Sequence, residues 1–103
     1  MPEHQPLGAG IIGCGNISAA YLRALPGLGT VRLVAVADAN PHASAARAAE
    51  FGVKACSVAE LLADPAIALV INLTTPQSHV EVGLAALAAG KHYTVSIDRD
   101  DTS

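Results

Sequence analysis

Short apolar runs alternate along this chain with stretches that repeat at helical spacing, and that alternation most constrains the fold. "LGAGII" (Leu7–Ile12) is an apolar run ending at glycine. Over residues 16–25, Ile17, Ala20, Tyr21, Ala24 and Leu25 fall at offsets 0, 3, 4, 7 and 8, the spacing of one helix face. "PGLG" then breaks the chain. "VRLVAVAD", residues 31–38, is a second apolar run that closes on an acid. "NPHASAARAAEFG" has a proline where a helix starts and Gly52 where it stops. A third short run spans residues 53–56, and "SVAE" (residues 57–60) has the capping-box pattern of a brief helix ending near residues 64–65. "IALVINL", residues 67–73, is a fourth run. "PQSHVEVGLAALAAG" is a further helix, with Val80, Leu84 and Leu87 on one face and Gly90 as its stop. "HYTVSI", residues 92–97, reads as a fifth strand, and the tail from Asp98 to Ser103 as frayed.

Strands that are apolar almost throughout are buried on both faces, and strand–helix alternation supplies the covering helices. Crossovers between parallel strands are right-handed, which leaves few topologies. The reading is therefore α/β: a doubly wound parallel sheet of five strands in the order 3-2-1-4-5. With 103 residues, the chain holds one domain. Aromatic residues are only 3% of it, so the core must be built from Ala, Val, Leu and Ile in thin, closely packed layers.

The net charge of −3 and scattered Lys and Arg argue against phosphate-neutralising nucleic-acid binding. No apolar run approaches the roughly 18 residues of a membrane helix. Residues 1–6, "MPEHQP", have neither the basic nor the apolar region of a secretion signal. Cys14 and Cys56 lack metal-ligand spacing and are too few for a disulfide framework. Reduced thiols place the chain in the cytoplasm, and no metal site is expected.

The chemistry lies at residues 13–18, Gly13-Cys14-Gly15-Asn16-Ile17-Ser18, between a strand and a helix. Such a turn brings backbone N–H groups and a positive helix end to one point, which suits a pyrophosphate. Gly13 permits the tight turn and Gly15 a close approach of phosphate to backbone. A third glycine would allow close helix–strand packing, and Ser18 adds only a hydroxymethyl group there. Asp38 ends the second strand, 38 − 15 = 23 residues after Gly15, near the roughly 20 expected of an acid that binds the adenosine ribose. An acid there repels a 2′-phosphate, and Ala39-Asn40 supplies no cation, so NAD is expected rather than NADP. Cys14 is either a small filler or, at a helix start that lowers thiol pKa, a redox sensor.

Three segments together resemble a known family: "GIIGCGNISAAYLRAL", "VAVADANPHASAARAAEFGV" and "DPAIALVINLTTPQSHVEVGLAALAAGKH". They are similar to the N-terminal half of the glucose–fructose oxidoreductase / inositol dehydrogenase / MocA family, over residues 7–92. The most specific part is T-P-x-x-H, here Thr75, Pro76, Gln77, Ser78 and His79, followed by A-G-K-H at residues 89–92. The resemblance implies a Rossmann-type cofactor domain, normally followed by a substrate domain, which this reading expects to be absent from these 103 residues. It also implies hydride transfer between a nicotinamide cofactor and a sugar, polyol or related carbonyl compound. Leu73, Thr74, Thr75 and Pro76 would lie along the nicotinamide half, with His79 nearby; Gly13, Gly15, Asn16, Ile17 and Asp38 would hold the rest. Read without the family, Pro76 is a helix-start proline and His79 a first-turn polar residue. His4, His42 and His92 read as surface residues.

The family follows A-G-K-H with a strand and Glu-Lys-Pro, whose lysine exchanges the substrate proton. Here those positions read Ser96, Ile97 and Asp98, and isoleucine exchanges no proton. Lys91 belongs to the preceding turn and does not replace it. The expectation is a chain that binds NAD but turns over little alone, and that self-associates or seeks a missing partner domain. The alternative is a non-catalytic dinucleotide module with a redox-sensing or regulatory role.

Overall fold

The computed structural model describes residues 7–27 and 29–95, so the expected frayed tail and residues 96–98 lie outside it. Strand β1 is Leu7–Ile12, followed by helix α1 (Asn16–Ala24) and a 3-10 turn (Leu25–Gly27). Then come β2 (Val31–Ala37), α2 (Pro41–Phe51), β3 (Lys54–Cys56), α3 (Val58–Ala63), β4 (Leu69–Asn72), α4 (Pro76–Ala88) and β5 (His92–Val95). The strands form one sheet in the order 3-2-1-4-5, every pair parallel, as the alternation predicts.

Successive residues of the central strands point to opposite faces, as the pleat requires. Ile11, Val36 and Ile71 join Leu22 of α1 and Ala48 of α2 in one core. Ile12, Ala35, Ala37 and Val70 join Leu61 of α3 and Ala86 of α4 in the other. Ile11, Ile12, Leu22 and Leu61 are all 2% exposed or less, each such burial being worth about 1.5–3 kcal/mol. In place of large side chains, β1 uses closeness. A Cβ on Gly10 would come within 2.9 Å of Leu61, and one on Gly8 would run into the Ala66 carbonyl.

Local signals work as read for α2 and α3. Asn40 caps α2 by accepting from the His42 N–H at 3.0 Å, and Gly52 ends it at φ 71°. Ser57 and Glu60 form the reciprocal capping box of α3.

Spacing fixes which residues of α1 and α4 share a face, and the structure fixes what each face meets. Of the spaced set, Tyr21 on α1 and Leu25 in the 3-10 turn pack on the core beside Ala19 and Leu22, with Ser18 also buried, while Ala20 and Ala24 are exposed. The offsets therefore caught part of the buried side, and the two exposed members are alanines, which add little burial. On α4, the aligned Val80, Leu84 and Leu87 are 68%, 62% and 54% exposed, while Val82 and Ala86 face the core. That stripe lies on a flank of the helix that none of the described residues covers. No helix among the described residues is long and apolar enough to cross a membrane.

Candidate dinucleotide site

Strand order reverses between β1, which leads on to β2, and its other neighbour β4. Ligands of open α/β sheets bind at such a switch point, beyond the carboxyl ends of the strands. The ladder continues into the loops here: Gly13 N–H donates to Ala37 O and Leu73 N–H to Ile12 O, both at 2.8 Å. Gly13 has φ 108°, and a Cβ on it would lie 2.7 Å from the Leu73 carbonyl carbon and 2.9 Å from the Thr74 nitrogen. Only glycine lets the two loops cross this closely.

A cavity of about 690 Å³ opens there, bringing together Gly13, Gly15, Asp38, Leu73, Thr74 and Thr75. Val58, Val82 and Ala85 supply an apolar wall, and Glu81 and Ser78 also reach it. Asn16 and Pro76 are the first residues of α1 and α4. His79 is not among the cavity-lining residues, and neither ring nitrogen, though buried, has a hydrogen-bond partner. His42 and His92 are exposed, as expected, and His4 lies outside the described residues.

Helix starts divide into two kinds. Helices α2 and α3 are capped by their own side chains. Helices α1 and α4, whose N-cap residues Gly15 and Thr75 both line the cavity, receive no side-chain cap. Ser18 and Ser78 N–H donate to the Gly15 and Thr75 carbonyls and Pro76 has no N–H, which leaves the N–H groups of Asn16 and Ile17 at the positive end of α1 as the anion site. The residues present fit a dinucleotide pyrophosphate there.

Asp38 sits at the rim with both carboxylate oxygens engaged. One accepts from Cys14 N–H at 2.7 Å and the other from Asn40 N–H at 2.8 Å. Each oxygen keeps acceptor capacity for a hydroxyl, so the acid is at once a ligand candidate and a brace for the glycine loop. Cys14 is buried, and its thiol donates to the Ala37 carbonyl at 3.5 Å. Burial, reinforced by the Asp38 charge, raises its pKa to about 11. A thiol held protonated is not a reactive sensor; Cys14 is the filler. Among the described residues, no group of three or more metal-ligating side chains assembles.

Asn72 was not singled out by sequence reasoning, although a lone amide in an apolar strand is a visible signal. It is fully buried. Its oxygen accepts from Thr74 N–H at 3.2 Å and Thr74 Oγ1 at 2.6 Å, and its amide donates to the His79 carbonyl at 3.0 Å. It ties the cavity loop after β4 to the first turn of α4. Lys91 donates to the Asp64 carbonyl at 2.9 Å, a structural post consistent with its place in the turn.

Sheet order, glycine loop and terminal acid define a Rossmann dinucleotide-binding domain. The family described as "Oxidoreductase family, NAD-binding Rossmann fold" matches residues 7–96, and the chain belongs to it: the glucose–fructose oxidoreductase / inositol dehydrogenase / MocA family. Among solved structures, one described as a myo-inositol dehydrogenase of Sinorhizobium meliloti is 30% identical with a TM-score of 0.80, covering 86% of this chain and 27% of that one. Biliverdin reductase of Synechocystis, bound to biliverdin and NADP+, is 33% identical with a TM-score of 0.81, over 88% of this chain and 29% of its own. The WlbA dehydrogenase of Bordetella pertussis, bound to NADH and UDP-GlcNAcA, is 27% identical with a TM-score of 0.81, over 88% and 28%. The chain thus spans less than a third of these relatives. No curated protein matches it.

Proposed function

We propose that this chain is the cofactor half of a cytoplasmic oxidoreductase that moves a hydride between NAD(H) and a sugar, polyol or related carbonyl compound. The observation that carries the reading is the gathering of Gly13, Gly15, Asp38, Thr74 and Thr75 around one cavity. The N–H groups at the start of α1, with Asn16 and Ile17 in its first turn, take the pyrophosphate. Asp38 takes the adenosine ribose hydroxyls and disfavours a 2′-phosphate. Leu73, Thr74, Thr75 and Pro76 flank the nicotinamide half, with His79 supporting their loop through its carbonyl. The nicotinamide supplies the hydride donor or acceptor. An inositol and a nucleotide sugar in the descriptions of two relatives support the substrate class. Residues 1–103 are read as one dinucleotide-binding domain. With Ser96, Ile97 and Asp98 in place of Glu-Lys-Pro, the chain alone lacks the proton-exchanging lysine and turns over little.

The test is a fluorescence titration of the chain with NADH and, separately, NADPH. Saturable binding that favours NADH supports the reading; binding of neither refutes it. A substrate-dependent change in NADH absorbance by the purified chain would refute the low-turnover part alone. A non-catalytic module is the second reading, but the protonated state of Cys14 removes the obvious redox sensor from it.

A further inference from the structure

Residue 18 stands where the glycine-loop pattern has its third glycine, and the neighbouring helix is built around the difference. Ser18 is fully buried, and its hydroxyl donates to the Gly15 carbonyl at 2.6 Å. From α2, Arg47 reaches the same point. Its Nε donates to Ser18 Oγ at 3.1 Å and one terminal nitrogen to Gly15 O at 3.3 Å. The other terminal nitrogen pairs with Glu50 at 2.8 Å. All three guanidinium nitrogens are therefore used, and the fork is aimed inward by a carboxylate on its own helix. The Arg47 side chain is 21% exposed; its bond to Ser18 is partly buried, while those to Gly15 and Glu50 are open to solvent.

The Gly15 carbonyl thus accepts from three donors: Ser18 N–H at 3.1 Å, Ser18 Oγ and Arg47. In a trans peptide, C=O and N–H point in opposite directions. Pinning the Gly15 oxygen toward Ser18 and Arg47 therefore turns the Asn16 N–H away from them. That N–H belongs to the uncapped first turn of α1, whose N-cap Gly15 lines the cavity.

We infer that Arg47 is a positioning residue for the dinucleotide loop: acting through Ser18 and Gly15, it fixes the first peptide of α1 so that its N–H faces the ligand phosphate. The inference rests on the cofactor-binding reading. Where a third glycine would bring helix and strand together by contact, this chain uses a hydrogen-bonded tether from the next helix. An unbranched cation could not replace it, because one ammonium group does not reproduce a planar fork.

The experiment pairs Arg47→Met, which keeps an unbranched stem without the fork, with Ser18→Ala, which removes only the hydroxyl. Amide hydrogen exchange is read on the nucleotide-free chain, and NADH affinity by titration. Arg47→Met is expected to speed exchange at residues 16–18 about tenfold, leaving β1 and β4 unchanged, and to weaken NADH about tenfold, the scale of one charge-assisted hydrogen bond. Ser18→Ala weakens NADH about threefold, and the double variant binds no worse than Arg47→Met. Arg47→Lys fails to restore binding.

Multiplicative losses in the double variant, exchange that rises throughout the sheet, or rescue by lysine would each overturn the inference. If Arg47→Met does not fold, Ser18→Ala decides alone: loop-confined exchange supports the tether and unchanged exchange refutes it. A native chain that binds no NADH defeats the cofactor reading, whereas the exchange data still decide whether Arg47 holds the loop.

Discussion

Replacing Asp38 by asparagine keeps the side-chain shape and removes one charge from the cavity rim. In the native chain the two carboxylate oxygens accept from Cys14 N–H and Asn40 N–H at 2.7 and 2.8 Å. Asparagine can satisfy one of these donors; its NH₂ meets the other, donor against donor. A hydrogen bond to a charged group contributes about 1.5–3 kcal/mol. At the low end of that range, Tm falls by roughly 6–12 °C for a domain of this size. Ribose hydroxyls lose a charged acceptor as well, so NADH affinity drops about 10–30-fold. For NADPH the balance differs. A unit charge about 4 Å from a phosphate costs roughly 1 kcal/mol in water and about 4 kcal/mol at an effective dielectric near 20. Removing it offsets the lost hydrogen bond, so NADPH affinity holds or rises, and the two cofactors come within about threefold of each other. Parallel titrations at one ionic strength read this directly, since exposed charges are screened beyond about 8 Å at 0.15 M salt. Equal losses for NADH and NADPH would refute the ribose role and leave Asp38 only as the brace for Cys14. Unchanged affinities for both would refute the site.

Gly10→Ala pushes a methyl group to within 2.9 Å of the fully buried Leu61, and a loss of about 1–3 kcal/mol in denaturant unfolding is expected. Ser57→Ala removes one half of the α3 capping box and lowers stability by about 1 kcal/mol by the same assay. Cys14 has its folded pKa raised from 9.0 to about 11. The unfolded chain therefore loses that proton first, and stability falls as pH rises from 9 toward 11; Cys14→Ala makes the decline shallower in thermal scans across that range. The exposed Val80, Leu84 and Leu87 form the kind of apolar surface that drives association. Light scattering at micromolar concentration should show dimers or larger species, and Leu84→Glu with Leu87→Gln should reduce them without lowering Tm.

What could be read from the sequence was what depends on near neighbours in the chain. Pro41 and Gly52 bound α2, and Ser57 with Glu60 starts α3, because caps and stops act within one helical turn. Sheet order followed from right-handed crossovers between parallel strands. The glycine loop and Asp38 were legible because their spacing is set by one strand–helix–strand unit, and they do meet at one cavity. The orientation of α1 was legible in part: Tyr21 and Leu25 of the spaced set pack on the core, whereas Ala20 and Ala24 are exposed and Ser18 and Leu22, outside the set, are buried. Nor did Val80, Leu84 and Leu87 announce that they face outward, since periodicity shows that residues share a face and not what that face meets. Arg47 escaped notice because its partner Ser18 lies 29 residues away on another helix; Asn72, whose partners Thr74 and His79 are only 2 and 7 residues off, was passed over as part of an apolar strand.

The bare starts of α1 and α4 carry a consequence for the life of the chain. Only the folded form assembles both ends around one cavity, so a nucleotide seated there is held by the folded chain and not by the unfolded one. Mass action then ties the folded fraction to nucleotide supply. At a hundredfold excess over Kd the added stability is about 2.7 kcal/mol, against roughly 5–15 kcal/mol for a whole domain. The abundance of such a protein would follow the nicotinamide pool, with turnover by proteases quickening as that pool empties.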